Sequence, residues 1–346
     1  MIRIKPELFR VLEAGNKDVV KLALQQAIEL EHSTIPPYLY ALYSLIPGKN
    51  DSIAEIIESV VVEEMLHMTL VSNILNALGG SPQIDLPDFI PNYPGPLPGS
   101  VESQLVVGLA PFSIDLVHDV FMTIEEPENP IQFPVLLEAT EPLTIGQFYR
   151  EIQQKIIGLG DDAFSKKPRN QIGPEIMDES IVVTNVATAC QAIDMIVEQG
   201  EGTSTSPLEE VGGGYAHYYR YAEIYHGKQL IPNPEAGPDT PTDQQYLYGG
   251  APVPFDQTGV YAAPTNPKAA TYPEGSASRI ACDTFNYTYT SLLKVLHAMF
   301  NGQSELFNTA LGLMMSLKQQ AKDMMAGTNT GGTSTGPSFE YQPLNP

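Results

Sequence analysis

Residues 51–80 read DSIAEIIESVVVEEMLHMTLVSNILNALGG, with apolar side chains returning at three- and four-residue steps up to Gly79-Gly80. That period marks a helix with one buried face, and the paired glycines mark its end. Glu64 interrupts the apolar face. It stacks with Ile57, Val60, Val61, Met68 and Val71, and His67 follows three residues later on the same side. Burying a carboxylate without a partner is costly, so a charge in this position demands one. Glu-x-x-His sets a carboxylate and an imidazole side by side toward a bundle interior, the arrangement that dinuclear carboxylate proteins use. The four-residue match alone more often means a surface pair, and its place on an apolar face is what points to metal. Glu63 is a partial rival, flanked by Val60, Leu66 and Leu70.

Working outward, the segment from Lys17 to Leu45 repeats the anomaly. Val20, Leu24, Ala27, Ile28, Ile35, Tyr38 and Leu42 form its apolar stripe, and Glu31 lies on it, whereas Glu29 faces Leu22, Gln25, Gln26 and Ser33. Glu31 is therefore a second candidate ligand and Glu29 a solvated residue. Pro36-Pro37 removes two helical hydrogen bonds and frees the carbonyls of His32 and Ser33, so a kink is expected beside Glu31. The short Pro47-Gly48 connection makes these two helices an antiparallel pair, with the second entered through Ser52 and Glu55 at capping-box spacing.

The rest of the chain completes an all-α reading. Residues 81–100 are dense in Pro and Gly and read as an irregular connection, with short helices near Phe112–Met122 and Thr144–Ile157. Bundle helices are expected at about 17–45, 51–79, 183–199 and 207–226, with an irregular excursion over 229–280, C-terminal helices over 285–325 and a polar tail over 327–346. The whole chain, 1–346, reads as a single domain. The third bundle helix offers Gln191, Asp194 and Glu198 on one side with Glu201 next in line, and periodicity does not choose among them. His217 shares a face with Tyr221 and Ile224, as either a core histidine or a ligand; position 214 is Gly, so a second Glu-x-x-His is missing. His32, His118, His226 and His297 read as structural or solvated, and Tyr40, Tyr218 and Tyr221 as core residues or as redox partners of the site.

Composition sets the outer limits. With 18 basic and 41 acidic residues the net charge is -23, which repels phosphate backbones and anionic membrane surfaces, so no nucleic-acid or membrane partner is expected. The 2 cysteines, Cys190 and Cys282, are too few for a disulfide framework or a zinc cage. Neither the stretch from Met1 to Pro6 nor any later run suits a signal peptide or a membrane span, and a cytoplasmic protein is expected.

Several stretches together resemble a known family, the ferritin-like domain of iminophenyl-pyruvate dimer synthases in violacein- and rebeccamycin-type pathways. They are Glu29-Leu-Glu-His-Ser-Thr-Ile-Pro-Pro-Tyr38, Glu63-Glu-Met-Leu-His67, Pro111-Phe-Ser113, Ile124-Glu-Glu-Pro127 and Thr144-Ile-Gly-Gln-Phe-Tyr149. Glu198-Gln-Gly-Glu-Gly-Thr203, His217-Tyr-Tyr-Arg220 and Gly336-Pro-Ser-Phe339 extend the likeness over most of the chain. The resemblance implies a ferritin-like four-helix bundle whose metal ligands are Glu31, Glu64, His67, Glu198, Glu201 and His217. It implies two iron ions, with manganese as the alternative, and an oxidase or oxygenase acting on a small amino-acid-derived metabolite, in a homo-oligomer such as a dimer. An iron-handling bundle without an organic substrate and a metal-free structural relic are the competing readings.

Overall fold

Asn16 starts the first helix by accepting the amides of Asp18 and Val19 on its side chain, and α1 then runs over Lys17–Ser44. The computed structural model describes residues 15–99, 105–127, 145–202, 206–208, 214–241 and 244–343. The readings at Met1 to Pro6, Ser100, Thr144, Thr203, 209–213 and 344–346 lie outside them. Helix α2 is Asp51–Ala77, α3 Ile145–Leu159, α4 Val186–Glu201 and α5 His217–His226. Strands β1, Lys228–Pro232, and β2, Tyr246–Pro252, follow, and then α6, Ala277–Phe300, and α7, Phe307–Met325.

Helix α1 lies along α2, α2 against α4, α4 against α3, and α3 back against α1, which closes a four-helix ring. The fold class is as expected, but the fourth member of the ring is not. Ile145–Leu159 fills that place, and the segment expected at 207–226 becomes helical at His217 and rests across α2 and α4. Amphipathic periodicity alone could not rank the two segments, since both have an apolar face and only the packing assigns it.

The Pro36-Pro37 step is absorbed without ending α1, and Tyr93 donates its hydroxyl at 2.7 Å to the Ser33 carbonyl that Pro37 frees. The expected capping box at Ser52 is not used. Asn50 takes the N-cap position, and its side chain instead holds Asp256 and Gly259 from the 229–280 excursion. That excursion is not wholly irregular, because β1 and β2 pair antiparallel with Leu230 opposite Tyr248. It straps the α1–α2 turn through Ile46 N to Gly259 O and Tyr261 N to Ser44 O, both 2.8 Å.

Asn73 on α2 is fully buried and ties down the segment before α4, giving hydrogen bonds to the carbonyls of Ile172 and Ile181 and accepting the Ile172 amide. Asn73→Ala leaves three backbone groups short of a partner and is expected to lower stability by about 3 kcal/mol, read from the urea midpoint.

Helices α6 and α7 pair with each other, α6 meeting α2 and α7 meeting α1. The expected polar tail folds back over them. Ser338 accepts from Asn286 at 2.8 Å, and the fully buried Phe339 meets the rings of Phe285 and Tyr289 edge-on. Composition misleads here because one aromatic anchor outweighs the polar residues around it. Among the described residues no helix is long and apolar enough to cross a membrane.

Candidate metal centre

The apolar stripes of α1 and α2 carry Glu31, Glu64 and His67 into the ring, with 6%, 3% and 2% of their surfaces exposed. His217, the first residue of α5, enters fully buried from the side of α2. Glu125 comes from the end of a short helical stretch built of Ile114–Leu116, a π-helical turn Val117–Phe121 and Met122–Ile124.

These side chains form two groups, Glu31–Glu64–His67 and Glu64–Glu125–His217, and within each the donor atoms lie within 4.8 Å of one another. Glu64 belongs to both. His67 Nδ1 is 3.4 Å from Glu31 and 3.9 Å from Glu64, and His217 Nδ1 is 3.0 Å from Glu64 and 3.3 Å from Glu125. The two imidazoles stack with centroids 5.4 Å apart.

Each carboxylate has a hydroxyl donor of its own. Tyr149 donates to Glu31, Tyr38 to Glu125, and Thr34 to Glu64 at 2.8 Å. Each imidazole has its far nitrogen occupied, His67 Nε2 facing Gln199 Oε1 at 2.9 Å and His217 Nε2 facing Glu63 at 3.0 Å. With Nε2 turned to those partners, both Nδ1 atoms face the carboxylates.

The electrostatics test whether a metal fits. Burial, together with the charges of Glu125 and Glu31, pushes Glu64 up to about 7. Burial alone would lower both histidines, but the surrounding carboxylates hold His67 above the ordinary imidazole range and His217 well above it. Burial would likewise raise Glu63, yet His217 and Arg220 hold it down at about 2. Tyr38 and Tyr149 are pushed well above the usual phenol range, first by burial and then by the glutamates, and stay hydroxyl donors. His217 Nδ1 is buried with no aligned hydrogen bond, although Glu64 approaches it closely. Three buried carboxylates facing two Nδ1 atoms need either extra protons or cations, and hard oxygen donors with one imidazole per group fit divalent metal ions.

The structure gathers four of the six ligands that the resemblance implied: Glu31, Glu64, His67 and His217. Glu198 is half-buried and belongs to neither group. The side of α4 that bears it also carries the exposed Gln191 and Asp194, and Asp194 accepts from Gln153. Glu201, the last residue of α4, lines the cavity but accepts the Gly146 amide at 2.8 Å instead of joining either donor group. Gln199 of α4 instead meets His67 from behind, on a face it shares with the buried Ala192, Met195 and Ile196.

Glu125 is the carboxylate that replaces the missing partner at position 214. Gly214 precedes the start of α5 and has no helical register with His217, so the partner arrives through space from another segment. Of the remaining histidines, His32 is buried against Tyr289, and burial lowers it to about 3. Tyr40 donates to the Pro264 carbonyl, and Tyr221 lies edge-on to Tyr38.

Both groups open onto one cavity of about 40 Å³, lined also by Leu30, Ile124, Tyr149, Ile196 and Gly200. That is room for ions and a few waters. No described residue of 229–280 lines it, so the excursion does not shape this cavity; it is spent on strapping the far end of α1 and α2.

Comparison with known proteins places the chain in one family. A family model described as Ferritin-like matches residues 24–226. The chain belongs to the Ferritin-like family. It is 25% identical over 316 residues to dichlorochromopyrrolate synthase of Lentzea aerocolonigenes, an alignment covering 81% of this chain and 29% of that protein. The chain thus spans less than a third of the length of that curated relative. The crystal structure of a ferritin like protein from Caulobacter vibrioides superposes with a TM-score of 0.61 at 23% identity, covering 93% of this chain and 97% of that one. The family and the synthase relative bear out the resemblance read from the motifs.

Proposed function

We propose that this chain is a non-haem dinuclear oxidoreductase, with iron in both positions and manganese as the alternative, acting on an imino acid derived from an aromatic amino acid. The observation that carries the reading is the pair of buried three-donor groups sharing Glu64. Glu31 and His67 would hold one ion, Glu125 and His217 the other, and Glu64 would serve both. When bound, two such ions supply one-electron redox steps and dioxygen chemistry.

The chain's own residues do the rest. Tyr149, Tyr38 and Thr34 fix the carboxylate oxygens that face away from the Nδ1 atoms, and Gln199 and Glu63 fix the imidazole tautomers. Burial by the ring excludes bulk water. The substrate class is supported by the likeness to a synthase and by the motifs shared with the dimer synthases. Joining two imino acids through a carbon–carbon bond removes two electrons and two protons, which dioxygen or peroxide takes up.

A second reading has its own observation. The cavity of about 40 Å³ is far smaller than an organic ligand's pocket, which favours a protein that handles ions alone unless the lining residues move. The test is to load the protein with iron(II) and supply imino acids formed in place from tryptophan or phenylalanine by an amino-acid oxidase. Oxygen uptake beyond that of the oxidase, with a coupled product two hydrogens lighter than twice the monomer, is expected. Iron-loaded protein that oxidises iron yet yields no coupled product sinks the synthase reading in favour of the second.

A further inference from the structure

The two histidines each turn Nδ1 toward the carboxylates and differ at Nε2. His67 Nε2 meets the neutral amide oxygen of Gln199 at 2.9 Å, whereas His217 Nε2 meets the Glu63 carboxylate at 3.0 Å. Glu63 sits one residue before Glu64 on α2 and belongs to neither donor group, so its contact with His217 is a separate feature. It is held there. Arg220, three residues along α5 from His217, donates to Glu63 Oε1 at 2.9 Å and to Ser59 Oγ at 3.0 Å. One carboxylate thus joins α2 to α5 and pairs with a guanidinium.

An anionic acceptor draws the Nε2 proton more strongly than a neutral amide does and leaves more charge on the opposite nitrogen. We infer that the two positions hold metal unequally: the Glu63–Arg220 pair behind His217 makes Glu64–Glu125–His217 the tighter position, and Gln199 behind His67 leaves Glu31–Glu64–His67 the weaker. Glu63 and Arg220 act through His217 and are positioning residues. The inference rests on the dinuclear reading above.

Cobalt(II) in a chelator buffer serves as the probe, read by its visible absorption and by competition. Glu31→Ala isolates the His217 position and Glu125→Ala isolates the His67 position. The former is expected to bind cobalt tighter by about 10- to 100-fold. Adding Glu63→Gln to the Glu31→Ala protein should remove most of that advantage, while adding it to the Glu125→Ala protein should change affinity by less than about threefold. Gln199→Glu in the Glu125→Ala protein should tighten binding, a gain that local damage cannot mimic. Equal affinities in the two isolated positions, or loss at the His67 position on Glu63→Gln, overturn the inference and leave the site standing. Failure of the wild-type protein itself to take up cobalt overturns the dinuclear reading and this inference with it.

Discussion

Glu64→Ala protein, reconstituted with iron(II) or manganese(II), is expected to retain neither ion, whereas Glu31→Ala and Glu125→Ala each retain one. The expectation follows from the sharing of Glu64 by both donor groups, with Glu31 and Glu125 each serving a single group. The effect on stability is large as well. A ligand that binds only the folded protein stabilises it by about 2.7 kcal/mol at 100 times its dissociation constant, so wild-type protein should melt at a clearly higher temperature with metal than without. Glu64→Ala should lose that increment. Glu198→Ala, by contrast, should keep both ions, because Glu198 belongs to neither donor group. Elemental analysis and melting curves read both outcomes, and loss of metal in Glu198→Ala with retention in Glu125→Ala would reverse the ligand assignment.

Phe339→Ala carries the second large effect. Its ring is 1% exposed, with ring centroids 4.9 Å from Phe285 and 5.2 Å from Tyr289. Emptying such a site costs about 3–5 kcal/mol, and in a chain of this size that lowers the melting temperature by on the order of 10 °C. Tyr289 in turn meets His32 at 2.8 Å, next to Glu31 on α1, so the docked segment braces the helix that supplies a ligand. A fall of under about 2 °C would show that the C-terminal segment contributes nothing to the fold.

Which parts of the molecule the sequence disclosed depends on where the decisive interaction lies. Helices α1 and α2 were legible because their periodicity runs unbroken for many turns, and Glu31, Glu64 and His67 because a charged group on an apolar stripe stands out. His217 was legible through its apolar neighbours as either a core histidine or a ligand, and the resemblance implied the ligand. Glu125 carried no comparable signal. It follows a π-helical turn where the period of 3.6 is broken, and its partner His217 lies on a distant segment, so spacing says nothing of their meeting. The exchange of Glu198 for Gln199 turns on one position along α4, about 100° around a helix. Here that step separates a half-buried residue from a buried one. The place of Ile145–Leu159 in the ring, and the burial of Phe339 in a polar segment, are settled by tertiary packing that local composition does not encode.

Two ions sharing Glu64 define the centre, and anomalous diffraction from crystals soaked in manganese(II) or iron(II) sees them most directly. Two peaks are expected in one cavity, one among Glu31, Glu64 and His67 and the other among Glu64, Glu125 and His217. A cavity without anomalous density, or a single ion bound through Glu198 or Glu201, would contradict this assignment.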